Sequence, residues 1–116
     1  LKPFYKYLKS TKKPILGICL GMQLLAESSE EGSGRGLGLI KAKVIDLKSQ
    51  HVGWEYIENK SYYFVHRYAM MYKKEILFEV KFNNITGCQF HPEKSQKDGL
   101  EYLKNFYEKN NTSIAS

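Results

Sequence analysis

The sequence predicts an α/β domain: a mixed sheet flanked by helices, with an antiparallel section in its second half. Three observations carry that expectation. PILGICL, residues 14–20, is an unbroken apolar run of the kind a buried parallel strand shows, and a helical stripe follows it at once. Residues 52–90 hold a succession of segments rich in aromatic and β-branched residues, as strands do. Amphipathic helical spacing brackets this region, in LKPFYKYLKST and in GLEYLKNFYEK.

Each element follows from its local pattern. Leu1, Phe4, Tyr5 and Leu8 share a helical face, which Lys12, Lys13 and Pro14 terminate. After the PILGICL strand, GMQLLAESSEE sets Met22, Leu24, Leu25 and Ala26 at helical spacing and predicts a helix over 21–31. Gly32, Ser33, Gly34 and Gly36 make a loop. LGLIKAKVIDLK alternates in part and reads as a strand; VGWEYIE and SYYFVHRYAMMY read as two more. ILFEVKF alternates strictly and predicts one strand with one wet face. Asn83–Asn84 turns the chain into a last strand, ITGCQF. The closing helix presents Leu100, Leu103, Phe106 and Tyr107 on one face, and NNTSIAS is expected to fray.

Composition narrows the function. A chain of 116 residues, 42% hydrophobic, can bury a real core. The net charge is +6, but only Arg35 and Arg67 among the eighteen basic residues are arginine, and the lysines are scattered. That is a solvated surface, not a nucleic-acid site. No apolar run approaches the roughly 18 residues of a membrane span, and the Lys-rich LKPFYKYLKSTKK has no signal-peptide core. Cys19 and Cys88 are too few for a disulfide framework, which suggests a cytoplasmic setting.

Two motifs carry chemistry. G-x-C-x-G at a strand–helix junction has the form of a nucleophile elbow, with Gly17 and Gly21 clearing space around Cys19. A helix starting there would aim its positive end at the sulfur and favour the thiolate, and the Leu20 N–H would be placed to stabilise an oxyanion. Taken alone, Cys19 is equally readable as core filling. The second motif is QFHPEKS, residues 89–95. His91 and Glu93 lie two apart at a strand end, with Pro92 fixing the turn. Cys, His and Glu would supply nucleophile, base and orienter; a metal reading of the same three lacks a fourth ligand at a recognised spacing. Cys88 reads as core, His51 as a polar residue at a strand edge, Gln23 as a possible helix-surface residue, and Glu27, Glu30 and Glu31 as a solvated helix face.

GICLGMQLL followed by GCQFHPEKS resembles the class I (triad) glutamine amidotransferases. LGMQLLAESSEEG, GLGLI, HVGWE, YFVHRY and FHPEKSQKDGL are similar, in order, to the glutaminase subunit (HisH) of imidazole glycerol phosphate synthase. The resemblance implies a flavodoxin-like mixed sheet, with residues 1–116 forming the C-terminal portion of a single amidotransferase domain whose N-terminal strands are not in this chain. It implies that Cys19 attacks glutamine, that His91 moves the proton and that Glu93 orients His91. Leu20 would supply one oxyanion N–H. Gln23, Glu31 and the backbone of His66, Arg67 and Tyr68 would hold the amino-acid end of L-glutamine. The family reads Ser at Arg67. No cofactor is implied. The implied partner is a HisF-type cyclase that receives ammonia and makes imidazole glycerol phosphate and AICAR in histidine biosynthesis, with Trp54 and Lys94 at the docking face. Two other functions fit the same motifs: a paralogue feeding ammonia to amidino modification of a bacterial surface sugar, and an inactive docking domain. The family pattern holds further residues near Gln50–His51 and between about Arg67 and Lys74; either both places are joins across missing segments, or the chain is truly short there.

Overall fold

The computed structural model describes residues 2–30 and 36–115, with side chains for 6–30 and 36–109. Helix α1 (Lys2–Ser10) leads into strand β1 (Ile15–Ile18), a single-turn helix α2 (Leu20–Gln23) and a short strand β2 (Ser28–Ser29). Strands β3 (Lys43–Ile57), β4 (Lys60–Tyr72), β5 (Glu75–Leu77), β6 (Glu79–Phe82) and β7 (Ile85–Cys88) follow. A 3-10 turn at Pro92–Lys94 then precedes the long helix α3 (Gln96–Ala115).

The strands form two sheets, ordered β1-β7-β6 and β2-β3-β4-β5. β1 lies parallel to β7, with Gly17 opposite Gly87 and Ile18 opposite Cys88, while β6 and β7 are antiparallel. The expected α/β class with an antiparallel second half is therefore present. β1 is at the edge of its sheet.

Several elements differ from the sequence pattern. The helix expected over 21–31 stops after one turn. The N–H groups of Leu37, Ile40, Gly38 and Gly36 take the carbonyls of Leu24, Leu25, Ala26 and Glu27. A longer helix needs those carbonyls for itself. Gly36 makes this possible, since a Cβ there would sit 2.0 Å from the Ala26 oxygen. LGLI is not strand; the chain becomes extended at Lys43. Gln50–His51 lies within a strand. β3 runs through it, and the irregularity is a register shift between Asp46 and His51, with Lys48 at φ 71°. β4 also runs unbroken through Arg67–Tyr72 and turns tightly at Lys73–Lys74, both with positive φ, into β5. ILFEVKF is split at Phe78. β5 pairs with β4, whereas β6 pairs with β7 in the other sheet.

Two apolar clusters fill the fold. Met22, Leu25, Val44 and Met70 form one, with Leu8 of α1 packed on it; Tyr62, Phe64, Cys88 and Phe90 form the other. In the second, Tyr62 stacks on Phe90 with ring centroids 4.0 Å apart. Helix α3 turns Tyr102 toward this cluster and leaves Leu100 and Tyr107, 69% and 67% exposed, on its outer side. The buried face expected from Leu100 and Tyr107 is thus rotated. The reason lies at the helix start, where Gly99 packs so closely on the 3-10 turn that a Cβ would be 1.9 Å from the Pro92 oxygen. Asp98 Oδ2 accepts from the Ser61 N–H at 2.8 Å and Lys60 pairs with Glu101 at 2.8 Å, which fixes the rotation of α3 on β4. α3 extends to Ala115, through most of the tail expected to fray. Leu1, Phe4 and Tyr5 lie outside the described residues or side chains.

Candidate active site

Cys19 ends β1 and opens α2 with φ 54° and ψ −105°, a conformation L residues rarely adopt. The turn is over-determined by its surroundings. The Cys19 N–H donates to the Cys88 carbonyl at 2.7 Å, and the Gln23 N–H donates to the Cys19 carbonyl at 3.1 Å. Gly17 is required here: a Cβ would lie 2.8 Å from the Gly21 carbonyl carbon and oxygen. Gly21 is not needed for the same reason, since a Cβ there meets nothing within 4 Å. Because α2 has only four residues, it cannot supply the helix dipole that a long helix would aim at the sulfur. The Leu20 N–H still stands first in that turn, among the donors a helix start leaves without internal partners.

The His91 N–H donates to the Tyr63 carbonyl at 2.9 Å, and the Cys19 thiol faces the Val65 carbonyl at 3.8 Å. Tyr63 and Val65 are two apart on β4, so their carbonyls point to the same edge of the strand, and that edge anchors both motifs. Nδ1 of His91 lies 2.8 Å from Glu93 Oε2, the relation an orienting carboxylate requires. Burial pushes the Glu93 carboxyl up, but the bond and charge of His91 and the nearby Lys94 outweigh it and leave it below the usual carboxylate range. The Ser95 hydroxyl donates to the His91 carbonyl at 2.6 Å and accepts from the Tyr63 N–H at 2.8 Å, which ties the His-Pro-Glu turn to β4. Cys88 is fully buried, and desolvation pushes its thiol up to about 12, so it is the inert cysteine of the two.

Gln23 is not on a helix surface. It is 7% exposed, and its Nε2 donates to the Tyr68 carbonyl at 2.8 Å and to Gln89 Oε1 at 3.2 Å. Both amide hydrogens are spent inside the protein, so toward a ligand Gln23 offers only its acceptor oxygen. The Tyr68 carbonyl accepts a second bond from His66 Nδ1 at 2.8 Å and is saturated, which removes it from the expected substrate contacts. His66 is 5% exposed, and its Nε2 lies 3.0 Å from Nδ1 of His51. His51 is therefore the half-buried partner of His66, stacked on Phe64 at 5.2 Å with its Nε2 3.4 Å from Glu55, and not a lone strand-edge residue. Burial pulls the His66 imidazole below its ordinary value, with the Tyr68 bond opposing. Arg67 points the other way and forks onto Asp46 at 2.9 and 3.0 Å. Glu31 lies outside the described residues. Trp54 is 47% exposed and borders a hollow of about 270 Å³ with Ser95 and Gln96; Lys94, exposed, immediately precedes Ser95.

Gln89 is a site residue that the sequence reading passed over. It is fully buried, and its Nε2 lies 3.4 Å from Cys19 Sγ. The available signal was a carboxamide inside an apolar strand run, ITGCQF. Among the described residues there is no cluster of His, Cys, Asp or Glu that could hold a metal ion, and no helix long and apolar enough to cross a membrane.

The family profile described as "Glutamine amidotransferase class-I" matches residues 2–110. The chain belongs to the class-I glutamine amidotransferase family. Within the family, the chain is similar to a protein named imidazole glycerol phosphate synthase subunit HisH from Pyrococcus furiosus, at 46% identity over 81% of this chain and 64% of the relative. It is 41% identical to "Imidazole glycerol phosphate synthase subunit HisH 2" of Methanococcus maripaludis over 82% of this chain and 62% of that one. This amidotransferase chain thus spans less than two thirds of the length of either relative. The aligned stretch with the Methanococcus protein, 126 residues, exceeds the 116 residues of this chain, so the relative carries internal residues with no counterpart here. A solved structure titled "Crystal structure of glutamine amidotransferase" superimposes with a TM-score of 0.62 over 92% of this chain and 66% of that one. At 17% identity it establishes a shared fold.

Proposed function

We propose that this chain carries the glutaminase chemistry of an imidazole glycerol phosphate synthase, acting with a HisF-type cyclase in the cytoplasm, and that residues 1–116 are the C-terminal portion of one amidotransferase domain. The observations that support this most are the strained Cys19 elbow and the His91–Glu93 pair at 2.8 Å, with Cys19 facing the Val65 carbonyl and His91 held by the Tyr63 carbonyl of the same strand. The Cys19 sulfur adds to the carboxamide carbon of L-glutamine. The oxygen that becomes negative takes the Leu20 N–H. His91, held by Glu93 through Nδ1, uses Nε2 to pass the thiol proton to the leaving nitrogen; the C–N bond breaks, ammonia departs and a thioester remains. His91 then takes a proton from water, which attacks the thioester and releases glutamate and the thiol. Gln23 Oε1 accepts from the substrate ammonium. Ammonia passes to the cyclase across a face that includes Trp54 and Lys94.

The test is glutamate release from L-glutamine, measured with and without the cyclase and its ligand. Cys19→Ser should lower turnover by about 10⁴-fold or more with the circular dichroism spectrum unchanged. Retained turnover in that variant would end the reading.

A further inference from the structure

The amide of Gln89 has only one orientation that its neighbours permit. The Tyr68 carbonyl can only accept, so the end of Gln23 that faces it, 2.8 Å away, is the amide nitrogen. That same nitrogen lies 3.2 Å from Gln89, so the Gln89 atom facing it is the oxygen. The other end of Gln89, 3.4 Å from the Cys19 sulfur, is therefore an N–H donor. His66 strengthens the chain by donating to the same Tyr68 carbonyl and holding it in place. The side chains in this chain of bonds, Gln23, His66 and Gln89, are all buried, and Gln89 itself is 0% exposed.

The sulfur thus sits between an acceptor, the Val65 carbonyl at 3.8 Å, and a donor, Gln89. As a thiol it can give its proton toward Val65. As a thiolate it has no proton to give and gains from the N–H. We infer that Gln89 is a further residue of the nucleophile's machinery, an oriented amide donor that stabilises the Cys19 thiolate and holds the sulfur in place as its proton leaves. The local structure makes such a donor necessary: α2 is one turn long and supplies little dipole of its own. This rests on the nucleophile reading of Cys19.

The test reads the sulfur, not turnover, so it fails independently of the glutaminase reading. The rate at which iodoacetamide alkylates Cys19 is followed from pH 5 to 10 by peptide mass spectrometry, which separates Cys19 from Cys88. Gln89→Met keeps length and bulk and removes the donor; Gln89→Glu keeps the acceptor for Gln23 and puts a carboxylate against the sulfur. The other titratable groups of this corner (His91, Glu93, His66 and Cys88) remain in both variants. The alkylation midpoint should rise by about one pH unit in Gln89→Met, an approximately tenfold loss of thiolate below it, and further in Gln89→Glu. An unchanged midpoint in a folded variant overturns the proposal. If both variants fail to fold, the wild-type chain still decides. It has four glutamines, at 23, 50, 89 and 96. With ¹⁵N-labelled glutamine, one solvent-protected side-chain amide should titrate with the alkylation midpoint of Cys19 and lose that titration once Cys19 is alkylated. No such signal would overturn the assignment.

Discussion

The His51–His66 pair sets a pH limit on the site without taking part in its chemistry. His66 must donate from Nδ1 to the Tyr68 carbonyl, so its Nε2 is the acceptor for His51 in the neutral state. A proton on Nε2 would place a charge on a ring that is only 5% exposed and would require His51 to turn Nδ1 into the acceptor, with its own hydrogen on the Nε2 that faces Glu55 at 3.4 Å. The folded-state affinity of His66 for a proton is accordingly depressed, burial being the main cause. A depressed value means that its contribution to stability is complete above the ordinary histidine value, about 6.5, and is lost as pH falls through the lower folded value. The thermal midpoint of the wild-type chain should therefore fall between pH 7 and 5. In His66→Gln, which titrates nowhere in that window, the slope should be shallower even though the variant is less stable throughout. Parallel slopes would remove His66 as the source.

At the scale of elements, the His-Pro-Glu turn is held by close backbone contacts. α3 touches the His-Pro-Glu turn through Gly99, where a methyl group would overlap the Pro92 oxygen at 1.9 Å. Backbone cannot yield as a flexible side chain can. Gly99→Ala should cost about 2 to 3 kcal/mol in urea unfolding and also lower glutaminase turnover, because relief requires moving His91 or Glu93. Gly21→Ala, with open space at that position, should be far milder, and a reversal of this order would refute the packing argument. A second tie joins β3 to β4 where their register slips. The Arg67 side-chain bond, then the Lys48 N–H, holds the Asp46 carboxyl near 2, well below its usual value. Its stabilising effect is full above about pH 4 and fades as pH falls toward 2. The advantage of wild type over Asp46→Asn in thermal unfolding should shrink across that window, and an advantage independent of pH would show that the fork contributes nothing electrostatic. Arg67 adds no charge to the candidate site, because its guanidinium is committed to Asp46 on the exposed side.

Across the whole molecule, the outer strand face and the site are connected through β3 and β4. Val52, Trp54 and Tyr56 alternate along β3 and are 56%, 47% and 80% exposed, a wet-side apolar row that suits a protein partner. The same strand carries His51, and its partner strand carries the carbonyls that hold Cys19 and His91. Trp54→Ala should weaken cyclase binding by about 2 kcal/mol, roughly 30-fold, while leaving the alkylation of Cys19 in the free chain unchanged. Titration calorimetry with the cyclase measures the first and mass spectrometry the second. Undiminished affinity would move the docking face elsewhere.

The elbow, the His-x-Glu pair, β1, β4 and β7 were all legible from local pattern, because each depends on residues adjacent in the chain: an apolar run, a glycine two positions before the cysteine, a proline between the two titratable residues. Other features depended on contacts across the fold. The helix after Cys19 stopped early because a loop a dozen residues away took its carbonyls, a competition no hydrophobic period records. ILFEVKF divided between two sheets because the alternation of side chains fixes which face is wet but not which strand lies alongside. The roles of Gln89 and His51 became visible only when the strands brought their polar atoms within 3.4 Å of partners 15 to 70 positions away. The sequence by itself determined the candidate Cys, His and Glu and the turns that present them. The tertiary structure decided which buried donors and acceptors meet, since a hydrogen bond depends on distance and direction in space and carries no trace in residue order.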